Sequence, residues 1–130
     1  MLDAVSESTA PAGSQSTRSS AQTRRVAAID IGTNSTHLLV ASVDTTLGTF
    51  SIEQAEKSTT RLGERDPDSG ELTSAGMQRG YETLRRFRDL AISHDVEQIV
   101  TAATSAVREA PNGREFLQSI QDGLGMDVDL

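Results

Sequence analysis

The sequence has 130 residues, enough for one domain, and with 35% hydrophobic residues, 3% aromatic and no Trp its core has to be aliphatic. Twelve Lys and Arg against nineteen Asp and Glu leave a net charge of -7, which argues against a chain built to coat nucleic acid. There is no cysteine, which excludes disulfides, thiolate catalysis and Cys-based zinc sites, and no apolar run reaches the roughly 20 residues of a membrane span.

Residues 1–25 read as a disordered tail, dominated by Ser, Thr, Ala, Gln and Gly with Pro11 and Gly13. Such a segment buries too little apolar surface to offset its ordering entropy. It lacks the apolar core of a secretory signal; Arg18, Arg24 and Arg25 would suit an organellar transit peptide, but Asp3 and Glu7 count against one. Residues 26–31 (Val-Ala-Ala-Ile-Asp-Ile) form a short buried strand that ends at a glycine. A tight turn over 32–35 leads to a second β-rich run, 36–43. A turn over 44–48 then leads to a third strand, 49–57, whose alternation through Phe50, Ile52 and Ala55 is weaker. Short turns between three strands predict an antiparallel meander.

Residues 58–70 are a polar, irregular loop, after which Thr73 or Ser74 caps a helix. Met77, Tyr81, Leu84, Phe87 and Ala91 share one face of it, and Arg79, Arg85, Arg86 and Asp89 the other. Residues 96–103 are a fourth strand. Pro111-Asn112-Gly113 breaks the chain, and Asn112 with Glu115 has the spacing of a capping box. The helix that follows turns Phe116, Leu117, Ile120 and Leu124 inward and ends near Gly123-Gly125, and residues 126–130 open a fifth strand. The order β-β-β-α-β-α-β predicts an α/β fold with a mixed sheet of five strands and two helices. A sheet that stops as its fifth strand begins is unfinished. A fragment is therefore expected, with apolar sheet surface left uncovered and poor solubility.

Two segments carry polar residues where chemistry is plausible. In Ile29-Asp30-Ile31-Gly32-Thr33-Asn34-Ser35, Gly32 admits an anion close to the backbone, and the turn N–H groups with Thr33, Asn34 and Ser35 supply donors. Asp30 would repel phosphate directly, so its role there is to hold hydrated Mg2+ or to orient a water. The same residues equally make an ordinary hairpin turn. The second segment, Ala102-Ala103-Thr104-Ser105-Ala106-Val107-Arg108-Glu109-Ala110, runs from a strand through hydroxyls into a helical turn, with Arg108 able to pair with an anion. Its plainer reading is a hydroxyl cap with Arg108 solvated or paired to Glu109 or Glu115. Asp66-Pro67-Asp68-Ser69-Gly70 fails as a calcium loop because its glycine is misplaced and no acid closes it. His37 and His94 lack ligand spacing; Arg61 in Thr60-Arg61-Leu62-Gly63-Glu64 is within reach of an anion in principle, but a solvated loop arginine is the plainer reading.

Together, the Asp30-to-Ser35 run, Arg61-Leu62-Gly63-Glu64, Gly70-Glu71-Leu72-Thr73, the Ala103-to-Ala110 run, Asn112-Gly113 and Phe116-Leu117 resemble the amino-terminal part of the exopolyphosphatase and guanosine pentaphosphate phosphatase family (Ppx/GppA). The resemblance covers residues 26–130. It implies an incomplete actin-like (ribonuclease H-like, ASKHA) lobe and hydrolysis of terminal phosphoanhydrides of polyphosphate or guanosine pentaphosphate (pppGpp), with Mg2+. By the match, Gly32, Thr33, Asn34 and Ser35 form the first phosphate loop, Arg108 points at the phosphate chain, and Asp30 takes the place of the metal- or water-orienting acid. The family's catalytic glutamate, in a Gly-x-Glu-Glu-Ala run, and its second phosphate loop, Asp-x-Gly-Gly-Gly-Ser, are not in this sequence. Half a site is therefore expected, inactive by itself. The alternatives are a binding module without hydrolysis or another phosphotransferase of the superfamily. The expected partners are the phosphate chain and, at full length, a second copy in a homodimer, with no nucleic acid or membrane, in the cytoplasm.

Overall fold

The computed structural model describes residues 23–130, so the predicted tail lies outside the described residues as far as residue 22. Strand β1 spans Thr23–Ile31, β2 Ser35–Asp44 and β3 Thr49–Thr59. Helix α1 covers Ser74–Ser93 and strand β4 Gln98–Ala103, followed by the one-turn helix α2 at Ser105–Arg108, helix α3 at Gly113–Leu124 and β5 at Val128–Asp129. These build one five-stranded sheet in the order β3-β2-β1-β4-β5. The first three strands are an antiparallel meander, whereas β4 runs parallel to β1 and β5 parallel to β4. The mixed sheet matches the expectation from sequence, with α2 as an added helix.

Alternation places Ala27, Ile29 and Ile31 of β1 and Thr36, Leu38 and Val40 of β2 on one face, all buried. That face packs on Leu84, Phe87 and Ala91 of α1 and on Phe116, Ile120 and Leu124 of α3, in a single apolar cluster. Of the residues expected to line these helix faces, Met77, Tyr81 and Leu117 are only partly buried. The opposite face of the sheet carries no helix among the described residues. Across it Ala28 lies in register with Leu39 of β2 and Val100 of β4, whose exposures are 36% and 45%.

Two local differences from the sequence reading, at residues 23–25 and at Asn112, have physical reasons, while the cap falls on Thr73, one of the two residues expected. Thr23, Arg24 and Arg25 belong to β1 rather than to a tail, because they pair in the ladder with Asp44, Val43 and Ser42. Arg24 and Arg25 are also held by Glu97 and Glu53 at 3.0 Å each. The first helix is capped by Thr73, whose hydroxyl accepts the Gly76 N–H at 3.0 Å. No capping box forms at α3. The Asn112 side chain instead reaches back 40 residues, accepting the Leu72 N–H at 2.9 Å and donating to the Leu72 carbonyl at 3.2 Å. It substitutes for a strand partner and pins the loop before α1 onto the start of α3.

Because both Leu72 groups are buried, Asn112→Ala leaves a donor and an acceptor unpaired. The expected cost is about 2–3 kcal/mol, read as a lowered urea midpoint. A loss below about 0.5 kcal/mol would contradict this role.

Candidate functional site

The parallel pairing of β1 with β4 puts Ile31 opposite Ala103 at the carboxyl ends of both strands. The Ile31 carbonyl then accepts two bonds from the residue after β4, from the Thr104 N–H at 3.1 Å and the Thr104 hydroxyl at 3.2 Å. The bend over Gly32, Thr33, Asn34 and Ser35 and the turn at Ser105–Arg108 therefore leave the sheet side by side. In open α/β sheets this end of the strands is where ligands bind. The structure thus brings together the two segments singled out in the sequence.

The bend is closed by the Gly32 N–H donating to the Ser35 carbonyl at 3.0 Å. A Cβ on Gly32 would lie 2.6 Å from that oxygen, so no side chain fits. The Thr33 carbonyl accepts from Gly63 N–H at 2.8 Å, and the Asn34 carbonyl from the N–H groups of Thr60 and Arg61 at 3.1 and 3.0 Å. In a trans peptide the N–H points opposite to the C=O. Tying down these two carbonyls therefore aims the N–H groups of Asn34 and Ser35 away from residues 60–63. The N–H groups of Thr33 and Asn34 have no acceptor among the described residues, and the side chains of Thr33, Asn34, Ser35 and Ser105 have no hydrogen-bond partner there. The bend is a cluster of free donors on a fixed backbone.

Across from it, Arg108 is exposed and forms no ion pair among the described residues, so the pairing with Glu109 or Glu115 considered from sequence is absent. The turn that carries it is held by Arg65, whose guanidinium donates to the Ala106 carbonyl at 2.6 Å and to the Gly70 carbonyl at 3.1 Å. Asp30 is exposed on the helix-free face, between His37 of β2 and Ala102 of β4 in the register. No group of three His, Cys, Asp or Glu side chains able to hold a metal occurs among the described residues.

The polar loop expected over residues 58–70 proves to be part of this arrangement. Thr60 is fully buried, its hydroxyl 3.0 Å from that of Thr36, and its carbonyl accepts from Arg79 at 3.0 Å. Gly63 lies so close to the bend that a Cβ there would be 2.4 Å from the Thr33 Cγ2. That glycine, directly after the buried Leu62, was the signal available in the sequence. Further along, the Asp66 carboxylate accepts the backbone N–H groups of Ser69 and Asp68, which hold its pKa below the usual Asp value. Asp66 closes its own turn.

The computed fold is an actin-like α/β lobe. A similar architecture is seen in a Ppx/GppA family member from Aquifex aeolicus, with a TM-score of 0.77 and 31% identity over 82% of this chain and 34% of that one. An exopolyphosphatase from Cytophaga hutchinsonii gives 0.74 at 31% identity, covering 81% of this chain and 33% of that one. The model of the Ppx/GppA phosphatase family matches residues 39–130, and the chain belongs to that family. Exopolyphosphatase 1 of Mycobacterium tuberculosis is 33% identical over 105 residues, 80% of this chain and 30% of the relative. Exopolyphosphatase 2 of the same organism is 34% identical over 103 residues, 78% and 32% respectively. The chain spans about a third of the length of these relatives. No helix among the described residues is long and apolar enough to cross a membrane.

Two outcomes follow from the packing of residues 60–72. Gly63→Ala drives a methyl group into Thr33 and should cost about 1–3 kcal/mol in urea unfolding. Thr33→Ser in the same chain removes the opposing Cγ2 and should recover most of the loss. Asp66, with its pKa lowered in the folded state, contributes stability above the usual carboxylate range and loses it as pH falls through the lowered value. Asp66→Asn keeps one acceptor oxygen and cannot titrate, so it should flatten the acid limb of the urea midpoint plotted against pH.

Proposed function

We propose that this chain forms the amino-terminal, phosphate-gripping wall of an exopolyphosphatase site, taking inorganic polyphosphate or pppGpp. The observation that supports this most is the pairing of Thr33 and Asn34 N–H groups that have no acceptor with an Arg108 that has no carboxylate partner, both among the described residues. A bound phosphate would meet backbone donors and the Ser35 and Ser105 hydroxyls, with the Arg108 guanidinium offering two parallel bonds to its oxygens. Membership of the family supplies the reaction class, hydrolysis of a terminal phosphoanhydride. Donors held rigid before the substrate arrives favour the charge that develops on the transferring phosphoryl group.

Asp30 would hold Mg2+ together with phosphate oxygens, and the ion when bound would offset charge on those oxygens. Its position on the helix-free face makes it accessible from that side. Hydrolysis also requires a base to activate water. The glutamate run that the family resemblance assigns to this task is not in the sequence, and Asp30 is the only carboxylate in the Asp30-to-Ser35 bend segment. On this reading the 130-residue chain binds the phosphate chain without hydrolysing it.

The test is calorimetric titration of the chain with polyphosphate in Mg2+ buffer, with released orthophosphate assayed on the same samples. Binding without phosphate release is expected. Arg108→Ala should weaken binding roughly tenfold, the worth of one exposed charge-assisted contact. Steady Mg2+-dependent phosphate release, or no binding at all, would contradict the proposal.

A further inference from the structure

We infer that Arg61 is a second phosphate-contacting arginine, placed on the far side of the bend from Arg108, so that the site distinguishes a chain of phosphates from a single one. The inference rests on the phosphate-binding reading above and adds a ligand contact to it. The sheet order β3-β2-β1-β4 fixes the relative placement. The bend joins β1 to β2; residues 60–63 follow β3 on one flank, and α2 with Arg108 follows β4 on the other. The Arg61 N–H bonds the Asn34 carbonyl at 3.0 Å, so the residue is attached to the tip of the bend itself.

Its backbone is unusual. Arg61 has φ 50, in the left-handed region that a long side chain seldom occupies. Thr60 and Leu62 on either side are fully buried, and this local reversal is what turns Arg61 outward between them. No packing role accounts for the strain, because the side chain is 52% exposed. Its one ion-pair partner among the described residues is Glu64 at 3.2 Å, itself 51% exposed, and an exposed pair of this kind is weak. Glu64 is also bound by Arg79 at 2.9 Å. Arg61 can therefore leave Glu64 for an incoming phosphate without stranding the carboxylate. Guanidinium groups suit such oxyanions, offering paired donors in a fixed fork.

Two arginines flanking one bend serve different ligands differently. Orthophosphate fills the bend and meets Arg108. A polyphosphate extends past the bend, and its further oxygens reach Arg61. Arg61→Asn removes the cation while keeping a residue that tolerates the left-handed conformation.

The experiment titrates the full 130-residue chain, wild type and Arg61→Asn, with orthophosphate and separately with tripolyphosphate, and records the melting temperature of both proteins. The expected result is a tripolyphosphate Kd raised about tenfold, with orthophosphate affinity changed less than about twofold. The melting temperature should be unchanged or higher, since strain is relieved. Arg61→Lys should fall between, keeping charge without the fork. Unchanged tripolyphosphate affinity in Arg61→Asn overturns the inference alone. Equal losses for both ligands, or a lower melting temperature, also overturn it by making the role structural. A wild-type chain that binds neither ligand overturns the site reading and this inference together.

Discussion

One carbonyl oxygen organises the functional end of this molecule. The Ile31 C=O at the end of β1 receives both the backbone and the hydroxyl of Thr104, the first residue past β4. That pair of hydrogen bonds sets the register in which two polar turns, separated by some seventy residues of chain, leave the sheet together. Parallel pairing of β1 with β4 is the prerequisite, and it depends on α1 carrying the chain from edge strand β3 over the sheet to the far side of β1. The apolar packing of Leu84, Phe87 and Ala91 against Ile29, Ile31 and Leu38 therefore does more than stabilise a core. It decides which loops become neighbours.

A second layer of order comes from residues 60–72, which brace the arrangement from both ends. At one end their N–H groups take the carbonyls of Thr33 and Asn34; at the other Arg65 takes the Ala106 carbonyl and Asn112 takes the backbone of Leu72. Most of these bonds use main-chain acceptors. The bracing occupies carbonyls and leaves donors free, which is the polarity an anion site requires. A chain with net charge -7 repels polyanions at long range, so on the proposed reading any recognition of one has to come from such local donors and from a few arginines.

Much of this was legible from residue pattern. Alternation in β1 and β2, the α1 face through Phe87, and the Phe116, Ile120 and Leu124 stripe all point inward as expected, because burial is written in side-chain type. The positions of Gly32 to Ser35 and of Thr104 to Arg108 at strand ends were also readable. What escaped was whatever depends on the main chain or on distant partners. The polar Thr23, Arg24 and Arg25 carry no strand periodicity and are ordered by the ladder and by Glu97 and Glu53. The Asn112 spacing suits a cap, yet its amide is used 40 residues away. Residues 60–63 looked solvated because their contacts with the bend are backbone to backbone, and the left-handed turn at Arg61 has no signature in an arginine.

The central claim is that the bend at Thr33 and Asn34 and the turn at Ser105–Arg108 meet the same oxyanion. Amide chemical-shift mapping of the 15N-labelled chain during a tripolyphosphate titration tests it most directly. The largest shifts should fall together on Thr33, Asn34, Ser35 and Ser105, saturating with one affinity. Shifts confined to one of the two segments, or centred on the cavity beside Ile92, Val96 and Met126 at the other end of β4, would contradict it.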